Sequence, residues 1–299
     1  MPDQSSFAEQ SYQRHEAHLA QQSRQDHDPL ERLTTLKNSI HDWRHARMYH
    51  LLTPLLAWTG RWITIGDGIG TDANWLMEQG ATVVASDIGD ALLKQAQEQE
   101  FIREFRRENA EKINLPDNAF DFALCKEAYH HFPRPYLAVY EMLRVARRAI
   151  VLIEPQDPIQ RSPALLWLKN ILDRISPGLV QRLWKNQYSF ETVGNYVYKI
   201  SEREMEKVAM GIGLPAVAFC GLNDYVKDGP EMRQAPPSPS FWGKVKRNIV
   251  FKNLLCRLGV MPYRLLCCII FKEKAPAEVV AALEAKGFRY IELPENPYA

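Results

Sequence analysis

The stretch Ile63-Thr64-Ile65-Gly66-Asp67-Gly68-Ile69-Gly70-Thr71-Asp72-Ala73, followed by Thr82-Val83-Val84-Ala85-Ser86 and then Asp87, decides how this chain is read. An apolar strand runs into a turn of three glycines, a helix starts, and a second apolar strand stops at a carboxylate. Without a Cβ, Gly66, Gly68 and Gly70 let the backbone bend sharply and approach a ligand, and the helix that follows directs N–H groups at the same place. A carboxylate at the tip of the second strand accepts two hydroxyls at once. Together these parts predict a crevice for an adenosine-containing ligand at the edge of a parallel sheet.

Outward from that stretch, strands and helices alternate as βαβ units from Arg61 to Pro158. Strands are predicted at Trp62 to Ile65, Thr82 to Ser86, Phe101 to Phe105, Phe120 to Leu124 and Ala149 to Ile153. Helices are predicted at Asp72 to Gln79, Ala91 to Gln99 and Pro135 to Ala146. The fold class is α/β, a doubly wound Rossmann-like, mainly parallel sheet. The spacings Leu30, Leu33, Leu36 and Met48, Leu51, Leu52, Leu55 place a helical cap at residues 1–58, before a core at 59–158. A helical lid insertion is expected at 159–200, broken at Ser176-Pro177-Gly178. Residues 201–299 complete the sheet, with strands at Ala216 to Cys220, Leu265 to Phe271 and Tyr290 to Leu293, helices at Ser201 to Met210 and Ala277 to Ala285, and a loop at Ala235 to Ser240.

Composition narrows the class. With 299 residues, 46% apolar, the chain is long enough to bury a large core, and a net charge of +1 gives no global field to recruit nucleic acid. The five cysteines form no Cys-x-x-Cys pair, which fits a reducing, cytoplasmic setting without disulfides or a zinc ribbon. The longest apolar run, Leu265 to Phe271, is too short to span a bilayer. His41-Asp42-Trp43-Arg44-His45 spaces two imidazoles one helical turn apart, but it lacks the glutamate and third ligand of a zinc protease, so no metal centre is expected.

The loop is followed by Glu108-Asn109-Ala110-Glu111, Leu115-Pro116-Asp117-Asn118-Ala119-Phe120-Asp121 and Cys125-Lys126-Glu127-Ala128-Tyr129-His130-His131-Phe132. Over residues 60 to 155 this succession resembles class I S-adenosylmethionine-dependent methyltransferases of the small-molecule, type 11-like branch. The resemblance implies S-adenosyl-L-methionine as cofactor. It places Gly66, Asp67, Gly68 and Gly70 at the methionine end, Asp87 and Ile88 at the ribose, Asn109 and Ala110 at the adenine edge, and Lys126 beside them at the end of the fourth strand. Two positions depart from the family pattern. Gly66 stands where the family has an acid, the acid being Asp67, and Asp72 replaces the third glycine. Asp72 is expected to cap its own helix and to compete there with the methionyl carboxylate.

For chemistry, His130 and His131 follow the fourth strand, at the edge where such sheets place ligands, and a neutral imidazole suits removal of a proton from a hydroxyl or ammonium. The same residues also suit a simple cap for the helix announced by Pro133 and Pro135. His131 is similar in position to a catalytic histidine of phosphoethanolamine methyltransferases, and the resemblance gives Tyr12 the role of the N-terminal tyrosine that closes the site. Glu127 and Tyr129 are candidate substrate contacts, with packing the alternative for Tyr129. In the insertion, Trp167, Trp184, Tyr188, Phe190, Tyr196 and Tyr198 offer rings to stack on an acceptor or on one another. No acid lies between Glu231 and Glu273, while Arg233, Lys244, Lys246, Arg247, Lys252, Arg257, Arg264 and Lys272 do, so residues 233–272 suit an anionic substrate, a peripheral membrane contact, or a solvated face. The expected activity is methyl transfer to O or N of a small molecule such as a sugar, a lipid-linked compound or a secondary metabolite. Two readings stand beside it: an NAD(P)-dependent oxidoreductase, through the Gly-x-Gly-x-x-Ala match of Gly68 to Ala73, and a non-catalytic relative that binds S-adenosylmethionine.

Overall fold

A computed structural model describes residues 8–17, 36–157, 163–176, 178, 190, 196–227, 229–295 and 297. The expected strands assemble into one sheet in the order β3-β2-β1-β4-β5-β7-β6-β8. They are β1 (Arg61–Thr64), β2 (Thr82–Asp87), β3 (Phe105–Arg107), β4 (Phe120–Lys126), β5 (Ala146–Pro155), β6 (Ala216–Leu222), β7 (Leu265–Phe271) and β8 (Arg289–Glu292). β1 to β5 pair in parallel, whereas β7 runs antiparallel between β5 and β6, and β8 antiparallel to β6. The order reverses direction at β1, between β2 and β4, which puts a crevice at the carboxyl ends of those strands.

Helices cover both faces, so the central strands are apolar on both sides. On β7, Cys267, Ile269 and Phe271 join Trp62, Phe122 and Val151 in one core, and Leu266, Cys268 and Ile270 join Ile63, Ala123 and Ile150 in the other. Adjacent side chains point to opposite faces of a strand, so Cys267 and Cys268 lie in different cores and serve packing. The helices are α1 (residues 8–17), α2 (Ile40–Tyr49), α3 (Thr53–Leu56), α4 (Thr71–Glu78), α5 (Ala91–Glu98), α6 (Pro135–Val145), α7 (Pro163–Ile175), α8 (Glu202–Gly211), α9 (Pro239–Arg257) and α10 (Ala277–Ala285). Leu30, Leu33, Trp184 and Tyr188 lie outside the described residues.

Two elements correct the sequence reading. The third strand lies at Phe105–Arg107, not at Phe101 to Phe105. Glu100 adopts φ 58°, and the N–H groups of Phe101 and Ile102 return to the carbonyl of Ala96, so these apolar residues close α5 and pack under it. The strand is then free to be charged, because it is the sheet's edge. The second correction is α9, a 19-residue helix where only a loop at Ala235 to Ser240 is legible. Ser238 caps it, its hydroxyl accepting from Phe241 N at 3.4 Å, with Pro239 in the first turn.

α2 is fastened to the sheet by charge. The Arg44 guanidinium donates to Glu127, just beyond β4, and to Asp224, beyond β6, while Arg264 lies 3.0 Å from the second Asp224 oxygen. All of Asp224 and most of Arg44 are buried, so the cation screens two carboxylates that water does not reach. Burial alone raises the Glu127 carboxyl, yet Arg44 and then Lys126 hold it below the usual carboxylate range.

A group with a depressed folded pKa contributes stability above its unfolded value and loses it as pH falls through the folded one. Arg44→Gln is therefore expected to cost about 3 kcal/mol at neutral pH, because it takes the nearest cation from both acids and leaves Glu127 with Lys126 and Asp224 with Arg264. The gap to the unsubstituted protein should narrow below about pH 4.3, the ordinary glutamate value. Urea unfolding across that range measures it, and a gap that is small or constant with pH would contradict the assignment.

Candidate functional site

The loop between β1 and α4 is built around Asp67. Its carboxylate accepts from the N–H groups of Asp72 and Ala73, each at 2.9 Å, and from the Thr64 hydroxyl at 2.7 Å. The first N–H groups of a helix have no partner within the helix, and here Asp67 supplies one from inside the loop. Gly70, at the N-cap with φ 81°, has no side chain to do so. Asp72 does not cap its own helix, contrary to expectation. It turns away to accept from Tyr49 Oη at 2.7 Å and to pair with Lys126 Nζ at 3.0 Å. Burial beside Asp72 raises the Asp67 carboxyl above its ordinary value, with the two N–H groups and Thr64 opposing the rise.

The three loop glycines serve different ends. A Cβ on Gly66 would sit 2.5 Å from Ala128 Cβ, and one on Gly70 would sit 2.8 Å from Ile102, so both are glycine because neighbouring chain presses against them. Gly68, at φ 58°, would meet nothing within 4 Å, so its backbone borders open space. Its N–H donates to Asp87 Oδ2 at 2.9 Å, and Gly89 N–H donates to Asp87 Oδ1 at 3.1 Å. Asp87 is thus pinned at the tip of β2 by one bond to each oxygen, which leaves each oxygen able to accept again. Burial raises its carboxyl, against these N–H groups, that of Ile88, and the charge of His15. Beyond β3, Asn109 Oδ1 accepts from Glu111 N at 2.9 Å, which fixes the Asn109-Ala110 turn.

Behind the loop, α2 closes one end of the crevice. Lys126 reaches Asp72 and lies 3.4 Å from His45 Nδ1 and 5.3 Å from the Tyr49 ring centre, while Tyr49 stacks on Trp75. Burial alone lowers the Lys126 ammonium, but Asp72 and Glu127 hold it above its ordinary value. Burial, together with Lys126, Arg44 and His41, pushes His45 down to about 2, so this imidazole stays neutral. Lys126 and Glu127 are therefore both held by partners of opposite charge, one on α4 and one on α2. His41 and His45 stack 4.7 Å apart, and among the described residues no group of three His, Cys, Asp or Glu is arranged to hold a metal.

α1 lies across the carboxyl edge. The Tyr12 hydroxyl donates to Glu111, which also accepts from Arg134 N at 2.6 Å and Arg134 Nε at 2.7 Å. Burial and then Glu111 push the Tyr12 hydroxyl up to about 12, so it remains protonated. Glu16 pairs with Arg107 at the end of β3. The α1 residue that meets His131 is His15, with ring centres 5.7 Å apart, so Tyr12 and His131 occupy different ends of this contact.

The turn after β4, Tyr129–His131, is organised by a residue the sequence reading did not single out. Glu154, fully buried at the end of β5, accepts from Ala128 N at 2.8 Å and Tyr129 N at 2.9 Å through Oε1, while its Oε2 lies 2.7 Å from His130 Nδ1. The signal was present: Glu154 is the single acid in the run Ile150 to Pro155 of a strand buried on both faces. Two backbone donors and an imidazole match an ionised carboxylate, which can only accept. His130 Nδ1 then carries hydrogen and donates to Glu154. His131 stacks beside it at 4.1 Å, and Tyr129 is buried in the core.

The site can be compared with known proteins. The family model for a methyltransferase domain matches residues 63–153, from within β1 into β5, a segment that carries Asp67, Asp87 and His130 and stops one residue short of Glu154. No curated protein is significantly similar to the chain in sequence. Among solved structures, the chain is similar to the YcgJ protein from Bacillus subtilis, at 17% identity and TM-score 0.46 over 76% of this chain and 100% of that one. It is also similar to a S-adenosylmethionine-dependent methyltransferase from Archaeoglobus fulgidus, at 14% identity and TM-score 0.48 over 78% and 94%. A third, a S-adenosylmethionine-dependent methyltransferase from Methanosarcina mazei, matches at 14% identity and TM-score 0.43 over 73% and 94%. Residues 63–153, with the glycine loop at the sheet's switch point and the carboxylate closing β2, are a class I methyltransferase domain, and the protein is an enzyme that uses S-adenosylmethionine as its cofactor.

Proposed function

We propose that the enzyme methylates an oxygen or nitrogen of a small-molecule acceptor, with His130 as the base that takes the acceptor's proton and Glu154 as the residue that positions it. The observation that carries this reading is the 2.7 Å contact between a fully buried carboxylate and His130 Nδ1, beside the end of β4. When bound, S-adenosylmethionine supplies an electrophilic methyl on a sulfonium that leaves as a neutral thioether. The protein's own task is to hold the nucleophile in line, to exclude water and to accept a proton.

Asp87, with lone pairs left on both oxygens, suits the ribose hydroxyls, and the open side of Gly68 suits close approach by the cofactor. Asn109 and Ala110 are assigned to the adenine edge, with Ile88 beside them. The N-terminus of α4 is already capped by Asp67, so the methionyl carboxylate is met elsewhere in the crevice. His131 is assigned a supporting place, because the buried carboxylate that orients a ring here meets His130, and the His131 ring lies beside those of His15 and His130. α1 is assigned as a cover over the carboxyl edge and residues 159–200 as a lid. In that segment Trp167 on α7 is exposed, and Tyr196 meets Phe190 and Tyr198 edge to face.

Two substitutions separate these roles. Asp87→Ala is expected to lower S-adenosylmethionine affinity by more than about tenfold, since it removes a double hydrogen bond and frees Gly68, with each 1.4 kcal/mol worth a factor of ten. Calorimetric titration reads this, and an unchanged Kd would refute the ribose assignment.

His130→Ala should leave that Kd within a few-fold while lowering kcat by about 100-fold to 10,000-fold in a small-acceptor assay. Glu154→Gln should move the acidic limb of the pH profile for kcat/KM, because it removes the charge beside Nδ1. If His131→Ala costs turnover and His130→Ala does not, the base is the other histidine.

A further inference from the structure

α9 is apolar on two opposite sides. Val245, Ile249 and Cys256 face inward and are buried, the first two against Ile40 and Met232. On the outer side Val250, Phe251, Leu254 and Leu258 are 68%, 60%, 53% and 66% exposed, and Val260 just past the helix end continues the patch. A helix that is apolar all round is ordinarily covered on all sides, and a single exposed leucine means little, but five large apolar residues in eleven positions form one contiguous surface.

The rim of this surface is cationic. Lys246, Arg247 and Arg257 are exposed on the same helix, Lys244 precedes them, and no acid occurs between Glu231 and Glu273. Lys246 rests its ammonium 4.8 Å from the Trp242 ring centre, so its stem lies along the helix and its charge lies at the edge. A second copy of this chain is a poor occupant, because a two-fold contact would bring the same cations face to face. An apolar stripe flanked by these cations is complementary to an anionic lipid surface, where acyl chains receive the apolar side chains and headgroups meet the lysines and arginines.

We infer that the outer face of α9, with the turn through Val260, docks the protein on membranes that contain anionic phospholipid. This goes beyond the catalytic reading, and its test contains no turnover step, so either stands or falls without the other. The full chain is sedimented with vesicles of phosphatidylcholine alone and of phosphatidylcholine with about 30% phosphatidylglycerol. Pelleting is expected with the second vesicle and not the first. It should fall severalfold near 0.5 M salt, where the screening length drops to under about 5 Å.

The double variant Phe251→Ser with Leu254→Ser, and separately Arg247→Gln with Arg257→Gln, should each lower partitioning by about tenfold or more, since stable peripheral binding needs both signals. Both pairs are on the surface, and an unchanged thermal unfolding midpoint confirms that the fold is intact. No pelleting on anionic vesicles, equal pelleting on neutral ones, or undiminished pelleting of both variants overturns the inference. Concentration-dependent dimerisation that the serine pair abolishes, in a chain that ignores vesicles, overturns it in favour of self-association.

Discussion

Where the strands of a parallel sheet end, the backbone leaves its ladder, and the N–H groups it releases must find acceptors or be stranded in a partly buried crevice. In this protein carboxylates supply them at each loop that matters. Asp67 takes the N–H groups of Asp72 and Ala73, Asp87 those of Gly68 and Gly89, and Glu154 those of Ala128 and Tyr129. The Asp67 bonds close the β1 loop on itself, the Gly68 bond ties that loop to the tip of β2, and the Glu154 bonds tie the turn after β4 to the end of β5. A hydrogen bond to a charged acceptor is about twice as strong as a neutral one, and an unpaired buried donor costs about 1 to 3 kcal/mol. The crevice loops are therefore held by carboxyl oxygens set against released backbone N–H groups, above the apolar cores.

Buried acids at that density require cations, and these come from the end of β4 and from α2. Lys126 answers Asp72, and Arg44 answers Glu127 and Asp224 together. Arg44 belongs to α2 and Asp224 follows β6, so the segment before β1 and the segment after β6 are joined through the site and not merely appended to it. Replacing such a pair by apolar residues often costs nothing, which marks the network as a device for geometry more than for stability. It fixes where α2 crosses the carboxyl edge, and with it where the crevice ends.

Much of this was legible in the sequence for a plain reason: β1, β2, β4 and β7 are buried on both faces, and a continuous apolar run cut short by glycine or acid is hard to read otherwise. The failures have physical causes. Phe101 and Ile102 look like strand but serve as a hydrophobic stop for α5, a tertiary use of residues with high β-propensity. α9 escapes periodicity because its outer face is as apolar as its inner one, so no stripe stands out. Asp72 was read as a helix cap from its place in the first turn. Chain distant in sequence, Tyr49 and Lys126, decides otherwise, and no local pattern carries that information. Glu154 was visible as a lone acid in an apolar strand, but its partner His130 lies 24 residues away and only the β4–β5 pairing brings them together.

The difference between the two adjacent histidines follows from the same logic of partners. An imidazole is a defined base only when one nitrogen is committed, since an uncommitted ring divides its population between tautomers and orientations. His130 has its Nδ1 committed to a carboxylate that is itself immobilised by two backbone bonds, so its ring is held in one orientation. The His131 ring lies between that of His15 on α1 and that of His130. The α1 contact rests on Tyr12 with Glu111 and Glu16 with Arg107, the second pair half-exposed and so weak on its own. One imidazole is fixed from below by the sheet, and its neighbour touches a surface helix from above. The buried carboxylate holds the His130 ring through contacts of the sheet and the turn alone, so that orientation does not depend on α1.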